Sequence, residues 1–257
     1  MENLAMFCYQ CEQTAKGEGC MKAGVCGKDA DVSALQDLLV YAIQGLSIVA
    51  VDARKAGVTD QAADVFTVKA LFSTLTNVDF DPARFVELIG QAVSLRDALK
   101  DKARKAGAAI DEKTACVTFQ PKTTVDALVA QAAVASLKTD ANANADIQSL
   151  QHILLFGIKG VAAYADHAQI LGQEDDKVYA FVQEALAAIS RENLDLNGWV
   201  GLVLKCGEIN LRTMELLDAG NTTAFGHPVP TRVPLGAKKG KAILISGHDL
   251  KDLAELL

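Results

Sequence analysis

The sequence contains few aromatic residues, few prolines and no block rich in lysine and arginine. Aromatic side chains make up 5% of the 257 residues, and only 5 residues are proline. Strands favour aromatic and β-branched side chains, so this composition argues against an all-β sandwich and favours helices. The formal charge of −7 without a basic cluster argues against a nucleic-acid-binding surface.

The sequence also lacks an apolar run of the roughly 18 residues that a membrane-spanning helix requires. The longest candidate, residues 38–51, is interrupted by Gln44 and Ser47. The first residues lack the basic start and the apolar run of a signal peptide. We therefore expect a cytoplasmic protein with no membrane partner. In that reducing compartment the six cysteines are expected not to form disulfides.

Four of the six cysteines lie within 19 residues, at the spacing C-x2-C-x8-C-x5-C: Cys8, Cys11, Cys20 and Cys26. A C-x2-C turn directs two thiolates at one point, and a glycine-rich connection can bring the other two to the same centre. The spacing favours a metal but leaves an iron–sulfur cluster, a structural zinc site and two disulfides open. Cys116 and Cys206 stand alone and are interpreted as small buried apolar side chains.

The residues that flank these cysteines, and several stretches further along the chain, form specific motifs. They are MFCYQCEQTA at 6–15, GC at 19–20, GVCGK at 24–28, LQDLL at 35–39, NLDL at 193–196, LKCGE at 204–208, GHPVP at 226–230 and LISGHDL at 244–250. Together they resemble the hybrid-cluster proteins, which are also called prismane proteins or hydroxylamine reductases. The resemblance covers nearly the whole chain but only the N-terminal part, roughly half, of a family member.

The resemblance implies a function and a set of cofactors. In that family the N-terminal cysteines hold a cubane-type cluster, and the short x8 and x5 spacings resemble the [4Fe–4S] subgroup. A redox partner donates electrons there, and a hybrid iron–sulfur–oxygen cluster reduces hydroxylamine to ammonia or a related nitrogen species such as nitric oxide. Family members continue into α/β domains that supply most hybrid-cluster ligands, so we expect this chain alone to be inactive. The residues present also allow a non-catalytic iron–sulfur module for electron transfer or interaction.

His248 is the candidate catalytic residue and metal ligand outside the cysteine segment. It follows the apolar residues 242–246, which predict a buried strand, and the carboxyl ends of parallel strands are where α/β folds place ligands. The resemblance implies that His248 is the first ligand of the hybrid cluster. The other histidines are interpreted as structural: His152, His167 and His227.

Between the cysteines and His248 the sequence predicts a mainly α fold. Apolar residues at helical spacing predict a helix that Gly57 ends, a second helix over about 60–75, and a third over about 81–106. The pattern then recurs with a shift of 115 residues; Gly45, for example, falls on Gly160. We therefore predict two repeated three-helix bundles, residues 31–107 and 145–219, packed as a pair.

These predictions divide the chain into four segments. Residues 1–30 form a Cys-rich cluster-binding segment, and 31–220 form the helical domain. Residues 221–240 form a connector rich in proline and glycine. Residues 241–257 begin an incomplete α/β domain, with a strand at 242–246 and a helix that Asp249 can cap. A single strand needs neighbours, which the remaining α/β domains of a longer parent protein would supply.

Overall fold

The structure is a computed structural model that describes residues 6–135, 143–191 and 193–257. Nine α-helices lie in these residues: α1 (Ala30–Lys55), α2 (Gln61–Ser73), α3 (Pro82–Lys105), α4 (Ala115–Thr118), α5 (Val125–Gln131), α6 (Ala145–Ile170), α7 (Asp176–Arg191), α8 (Leu196–Phe225) and α9 (Leu250–Leu256). The predicted mainly α fold class is confirmed. In the described ranges the one β-type pairing is an isolated bridge between Cys8 and Cys20.

Aspartate side chains fix the starts of the helices around the cysteine segment. The Asp29 carboxylate accepts the N–H of Val32 at the start of α1, and the Asp60 carboxylate accepts the N–H of Ala63 at the start of α2. These bonds satisfy backbone donors that have no partner within the helix. At the other end of α1, Gly57 has a φ of 74°, which ends the helix as the sequence predicts.

The repeat in the sequence is a repeat of helices in the structure. α1 and α6 are both 26 residues long, and their first residues, 30 and 145, differ by 115. α1 packs along α3 and α6 packs along α8, while α2 contacts α6 and α7 contacts α1. The two sets of helices share one hydrophobic core. The division into two bundles and the four segment boundaries stay predictions; α8 itself continues to Phe225, beyond the predicted end of the helical domain.

α1 is the central helix of this core. By length and composition it is the one described helix that could cross a membrane, but 78% of its most apolar stretch is buried inside the protein. Leu35, Leu38 and Ile43 are completely buried. A core helix of a folded protein passes the same test of length and composition, so this finding is weak evidence for a membrane span.

The prediction of a buried strand over residues 242–246 is wrong for this chain. These residues form neither helix nor strand, and the side chains of Ile243 and Leu244 are 87% and 97% exposed. An isolated strand gains no ladder hydrogen bonds, and the described part of the chain offers no sheet for it to join. The predicted helix does follow as α9, with Asp249 at its N-cap position but without a side-chain capping bond.

Candidate metal centre

The N-terminal segment folds back on itself so that Cys8 and Cys20 lie opposite each other. The N–H of Cys8 donates to the carbonyl of Cys20 at 3.1 Å, and the N–H of Cys20 donates to the carbonyl of Cys8 at 2.8 Å. In such an antiparallel pair both side chains project from the same side, with Cβ atoms about 4.5–5.5 Å apart. Cys20 is buried and Cys8 is half-buried. The structure therefore brings two of the four predicted ligands together.

The other two cysteines lie in tight turns of the same segment. The carbonyl of Cys11 accepts the N–H and the hydroxyl of Thr14, at 3.1 and 2.6 Å. The sulfur of Cys26 lies against Gly24, where an added Cβ would be only 2.8 Å from it. Because residue 24 is glycine, there is room for this sulfur. Cys11 and Cys26 are both half-buried.

The chemistry of this donor set fits an iron–sulfur cluster. All six cysteines of the chain are free thiols. Four of them share one short segment that also contains several closely spaced glycine residues. Within the described ranges, however, no three Cys, His, Asp or Glu side chains lie close enough to bind one metal ion. Cys8 and Cys20 are paired, whereas no described contact joins Cys11 or Cys26 to that pair.

A buried lysine lies directly beside the first cysteine. Lys28 is 4% exposed, and its Nζ donates to the Cys8 Sγ at 3.4 Å and to the Gln36 Oε1 at 2.8 Å. The Nε2 of Gln36 donates in turn to the carbonyl of Asp79 at 3.1 Å. α1 therefore supplies the amide that fixes a cationic donor against the Cys8 sulfur.

A second buried lysine lies behind the first. The Nζ of Lys159, on α6, donates to Gln10 and to the carbonyl of Thr74, both at 3.2 Å. Burial lowers the pKa of Lys159 to about 8, although the carboxylate of Asp37 opposes this shift. Burial raises the pKa of Asp37 to about 7, against the attraction of Lys159 and Lys28. Cys8, Lys28, Asp37 and Lys159 line one small cavity.

Sequence reasoning missed most of this polar cluster. Lys28, Gln36 and Asp37 entered it only as letters of the motifs at 24–28 and 35–39, and Lys159 did not enter it. The available signal was a set of polar residues inside apolar helical runs. Gln36 and Asp37 interrupt the leucines of α1, and Lys159 follows Ile158 in the apolar part of α6.

A cluster of aromatic side chains covers the N-terminal cysteine segment on the side that faces α6. Tyr9 shares a hydrogen bond with the Nδ1 of His152, and its ring packs edge-on against Phe156 with centroids 5.4 Å apart. Burial raises the pKa of Tyr9 and lowers the pKa of His152. His152 therefore has a structural partner, in agreement with its interpretation as a structural residue.

His248 lies on the exposed C-terminal part of the chain. Its side chain is 88% exposed, and its Nε2 is 3.6 Å from the carboxylate of Asp249. The same carboxylate oxygen is 3.8 Å from the Nδ1 of His167, on α6. The structure thus keeps His248 beside one carboxylate, and no described contact links it to the four cysteines.

The two isolated cysteines are buried, as predicted. Cys116 is 1% exposed and burial raises the pKa of its thiol to about 11. Cys206 is 7% exposed and its pKa is also raised by burial. A thiol with a raised pKa is a poor nucleophile and a poor metal ligand because the thiolate is the reactive form.

Comparison with known proteins gives the family. A model of the Prismane/CO dehydrogenase family matches residues 6–257. The chain is 62% identical over 252 residues to a protein named hydroxylamine reductase from Syntrophobacter fumaroxidans, covering 98% of this chain and 46% of that protein. It is 62% identical over 253 residues to one from Methanocella arvoryzae, covering 98% of this chain and 47% of that protein.

A third relative, from Solidesulfovibrio magneticus, carries the same name and is 59% identical over 253 residues, with 98% of this chain and 46% of that protein covered. The chain therefore spans about half the length of the curated relatives it matches. Since the family model matches nearly every residue, the chain belongs to the Prismane/CO dehydrogenase family, a family of iron–sulfur proteins.

Proposed function

We propose that the chain is the electron-accepting part of an iron–sulfur oxidoreductase of the hybrid-cluster type. Such an enzyme reduces hydroxylamine to ammonia, or a related nitrogen species such as nitric oxide. For hydroxylamine, two electrons and two protons break the N–O bond and give ammonia and water. The name hydroxylamine reductase of the relatives supports this proposal. The observation that carries it is the pairing of Cys8 with Cys20 beside the buried Lys28.

In this proposal Cys8, Cys11, Cys20 and Cys26 hold a [4Fe–4S] cluster. The cluster supplies one-electron transfer when it is bound. Cys8 and Cys20 present their sulfurs from the same side of the bridge, and Gly24 leaves room beside the Cys26 sulfur. Three of the four cysteines are half-buried, so a redox partner can approach closely enough to donate electrons. A reducing cytoplasm would keep the thiols free for this role.

We assign the reduction of substrate to the longer protein that this part resembles. His248 is, by family resemblance, the first ligand of the hybrid cluster and the catalytic residue of this chain. A single imidazole cannot hold a multinuclear centre. The acidic residue that lies beside His248 in the described structure is Asp249. The remaining ligands would come from the α/β domains of the parent protein.

A second function is favoured by the exposure of His248. Because the His248 side chain is 88% exposed, the described residues offer one candidate centre, at the cysteines. The chain could then act as a non-catalytic iron–sulfur module for electron transfer. The two functions differ in a measurable way. A module transfers electrons without consuming hydroxylamine, whereas the enzyme converts hydroxylamine to ammonia when its remaining domains are present.

The test is anaerobic purification of the 257-residue chain, followed by analysis of iron, zinc and acid-labile sulfide. We expect iron and sulfide in the ratio of a [4Fe–4S] cluster, and a paramagnetic signal after reduction by dithionite. We also expect little or no hydroxylamine turnover with a reduced dye as electron donor. Stoichiometric zinc without iron would contradict the cluster. Turnover similar to that of a full-length relative would contradict the assignment of substrate reduction to other domains.

A further inference from the structure

The contact between Lys28 and Cys8 is unusual because a lysine ammonium is buried against a sulfur. The ammonium lies 3.4 Å from the Cys8 Sγ, and the residue is 4% exposed. Lysine is among the residues least often buried, so its burial needs a compensating partner. We infer that Lys28 is a positioning residue that sets the reduction potential of the cluster proposed at the four cysteines. This inference rests on the proposed function.

The physical effect has a definite sign. Reduction adds one electron to the cluster, and a cation that donates a hydrogen bond to a ligating sulfur stabilises the added negative charge. Burial strengthens the interaction because the local dielectric constant is lower than that of water. Lys28 therefore raises the potential and makes the cluster easier to reduce.

The structure holds this ammonium in place rather than leaving it to swing into solvent. Gln36 is 2% exposed and accepts from the Nζ of Lys28 at 2.8 Å. Its amide is oriented by the bond that Nε2 donates to the Asp79 carbonyl. A lysine whose only role was to neutralise charge at the surface would not need an oriented acceptor, and the fixed geometry keeps one donor aimed at the sulfur.

The charges around Lys28 also support a role for this residue at the proposed iron–sulfur cluster. Among the described residues that line the cavity beside Cys8, Lys28 and Lys159 face a single carboxylate, that of Asp37. When all three side chains are charged, this group of two lysines and one aspartate has one excess positive charge. Buried charges without a counter-charge are strongly unfavourable, and the thiolates of a bound cluster would supply the missing negative charge.

Lys22 offers a matched control on the same segment. It lies between Cys20 and Cys26 in the sequence and is exposed to solvent. Water and salt screen an exposed charge, so it contributes far less to the potential than a buried donor. Lys22→Met and Lys28→Met remove the same charge and differ in the burial of the site and in the hydrogen bond to Cys8.

The experiment is a redox titration of the anaerobically purified 257-residue chain, monitored by electron paramagnetic resonance. For Lys28→Met we expect at least a tenfold fall in the equilibrium constant of one-electron reduction, which lowers the potential by about 59 mV or more. For Lys22→Met we expect less than a twofold change. Lys28→Arg retains a cationic donor, so it should restore most of the potential. Iron and sulfide content is measured for every variant.

Each outcome supports or overturns the inference. A potential of Lys28→Met equal to that of the original chain, with the cluster present in both, would overturn it and leave the proposed function intact. Equal shifts for Lys22→Met and Lys28→Met would also overturn it, because net charge alone would then set the potential. Loss of iron from both Lys28→Met and Lys28→Gln would assign Lys28 to holding the segment together instead. Absence of iron from the original chain would defeat the proposed function and this inference together.

Discussion

The carbonyl oxygen of Cys116 lies against the Cα of Gly45, so that a Cβ at position 45 would be only 2.2 Å from it. This contact brings the segment after α3 onto the surface of α1. The guanidinium of Arg96, on α3, donates to the carbonyls of Cys116 and Phe119 at 3.2 and 2.8 Å and holds the segment there. Gly160, the equivalent residue of α6 in the sequence repeat, has nothing within 4 Å of an added Cβ.

The two glycines should therefore respond in opposite ways to the same substitution. Gly45→Ala forces the Cys116 carbonyl away from α1 and should lower the free energy of unfolding by about 1–3 kcal/mol. Gly160→Ala has room for its methyl group and should raise it by about 0.5–1 kcal/mol, because glycine is unfavourable inside a helix. Urea denaturation of both variants measures the difference. Equal effects would contradict the close approach at Gly45.

The same pair of residues shows how far the sequence predicts the fold. Regular apolar spacing predicted the long helices, and the shift that aligns Gly45 with Gly160 predicted the repeat. The contact at Gly45 depends on Arg96, a charged residue that is completely buried and therefore contradicts its usual preference for the surface. A pattern of apolar spacing carries no information on which segment of the chain covers which groove.

The prediction of a strand at 242–246 was wrong for a related reason. An apolar run with two isoleucines predicts a strand only if a sheet is available, and the described chain contains none. At the cysteine segment, the spacing identified the four thiols and the flexible glycines. The cationic donor at Cys8 was not predictable in the same way. It depends on Gln36 and, through the Gln36 amide, on the carbonyl of Asp79, which is distant in the sequence and comes close only through folding.

The four cysteines of the segment should differ from the isolated ones in their importance for the cluster. Cys11→Ser removes a proposed ligand, so we expect loss of iron, acid-labile sulfide and the visible charge-transfer absorbance. Cys116→Ser is the control, since the Cys116 thiol is buried and has a raised pKa. It should leave iron and sulfide content unchanged. Equal losses from both substitutions would contradict the choice of the N-terminal cysteines.

The ion pair between Asp175 and Arg212 should make part of the stability depend on pH. Arg212 donates to the Asp175 carboxylate at 2.8 Å, and with the N–H of Lys177 it holds the pKa of Asp175 below its usual value. A depressed pKa in the folded state stabilises the protein above the unfolded pKa of about 3.9, and this contribution is lost as the pH falls through the folded pKa.

Asp175→Asn removes this contribution. Because Arg212 is half-exposed and screened by solvent, we expect a loss of about 0.5–1 kcal/mol at pH 7. The difference from the original chain should shrink as the pH falls below about 3.9, where the carboxylate of the unfolded chain is protonated. Asp218→Asn, at an exposed position of α8, is the control and should have little effect. Urea denaturation at several pH values measures both. A pH-independent loss for Asp175→Asn would contradict the assigned role of the carboxylate.

His248→Ala should separate the two proposed centres of a full-length family member. In the 257-residue chain the His248 side chain is 88% exposed, so its removal should change neither stability nor the paramagnetic signal of the cluster at the cysteines. In a full-length protein the same substitution removes a proposed ligand of the hybrid cluster and should abolish hydroxylamine reduction while sparing that signal.

Neutral imidazole is a good ligand for iron, and its second nitrogen needs an acceptor that fixes the ring. Asp249, 3.6 Å away, is the described candidate for that acceptor, so Asp249→Asn should lower the occupancy of the hybrid cluster less than His248→Ala. Full activity of the full-length His248→Ala variant would reduce His248 to a turn residue before α9.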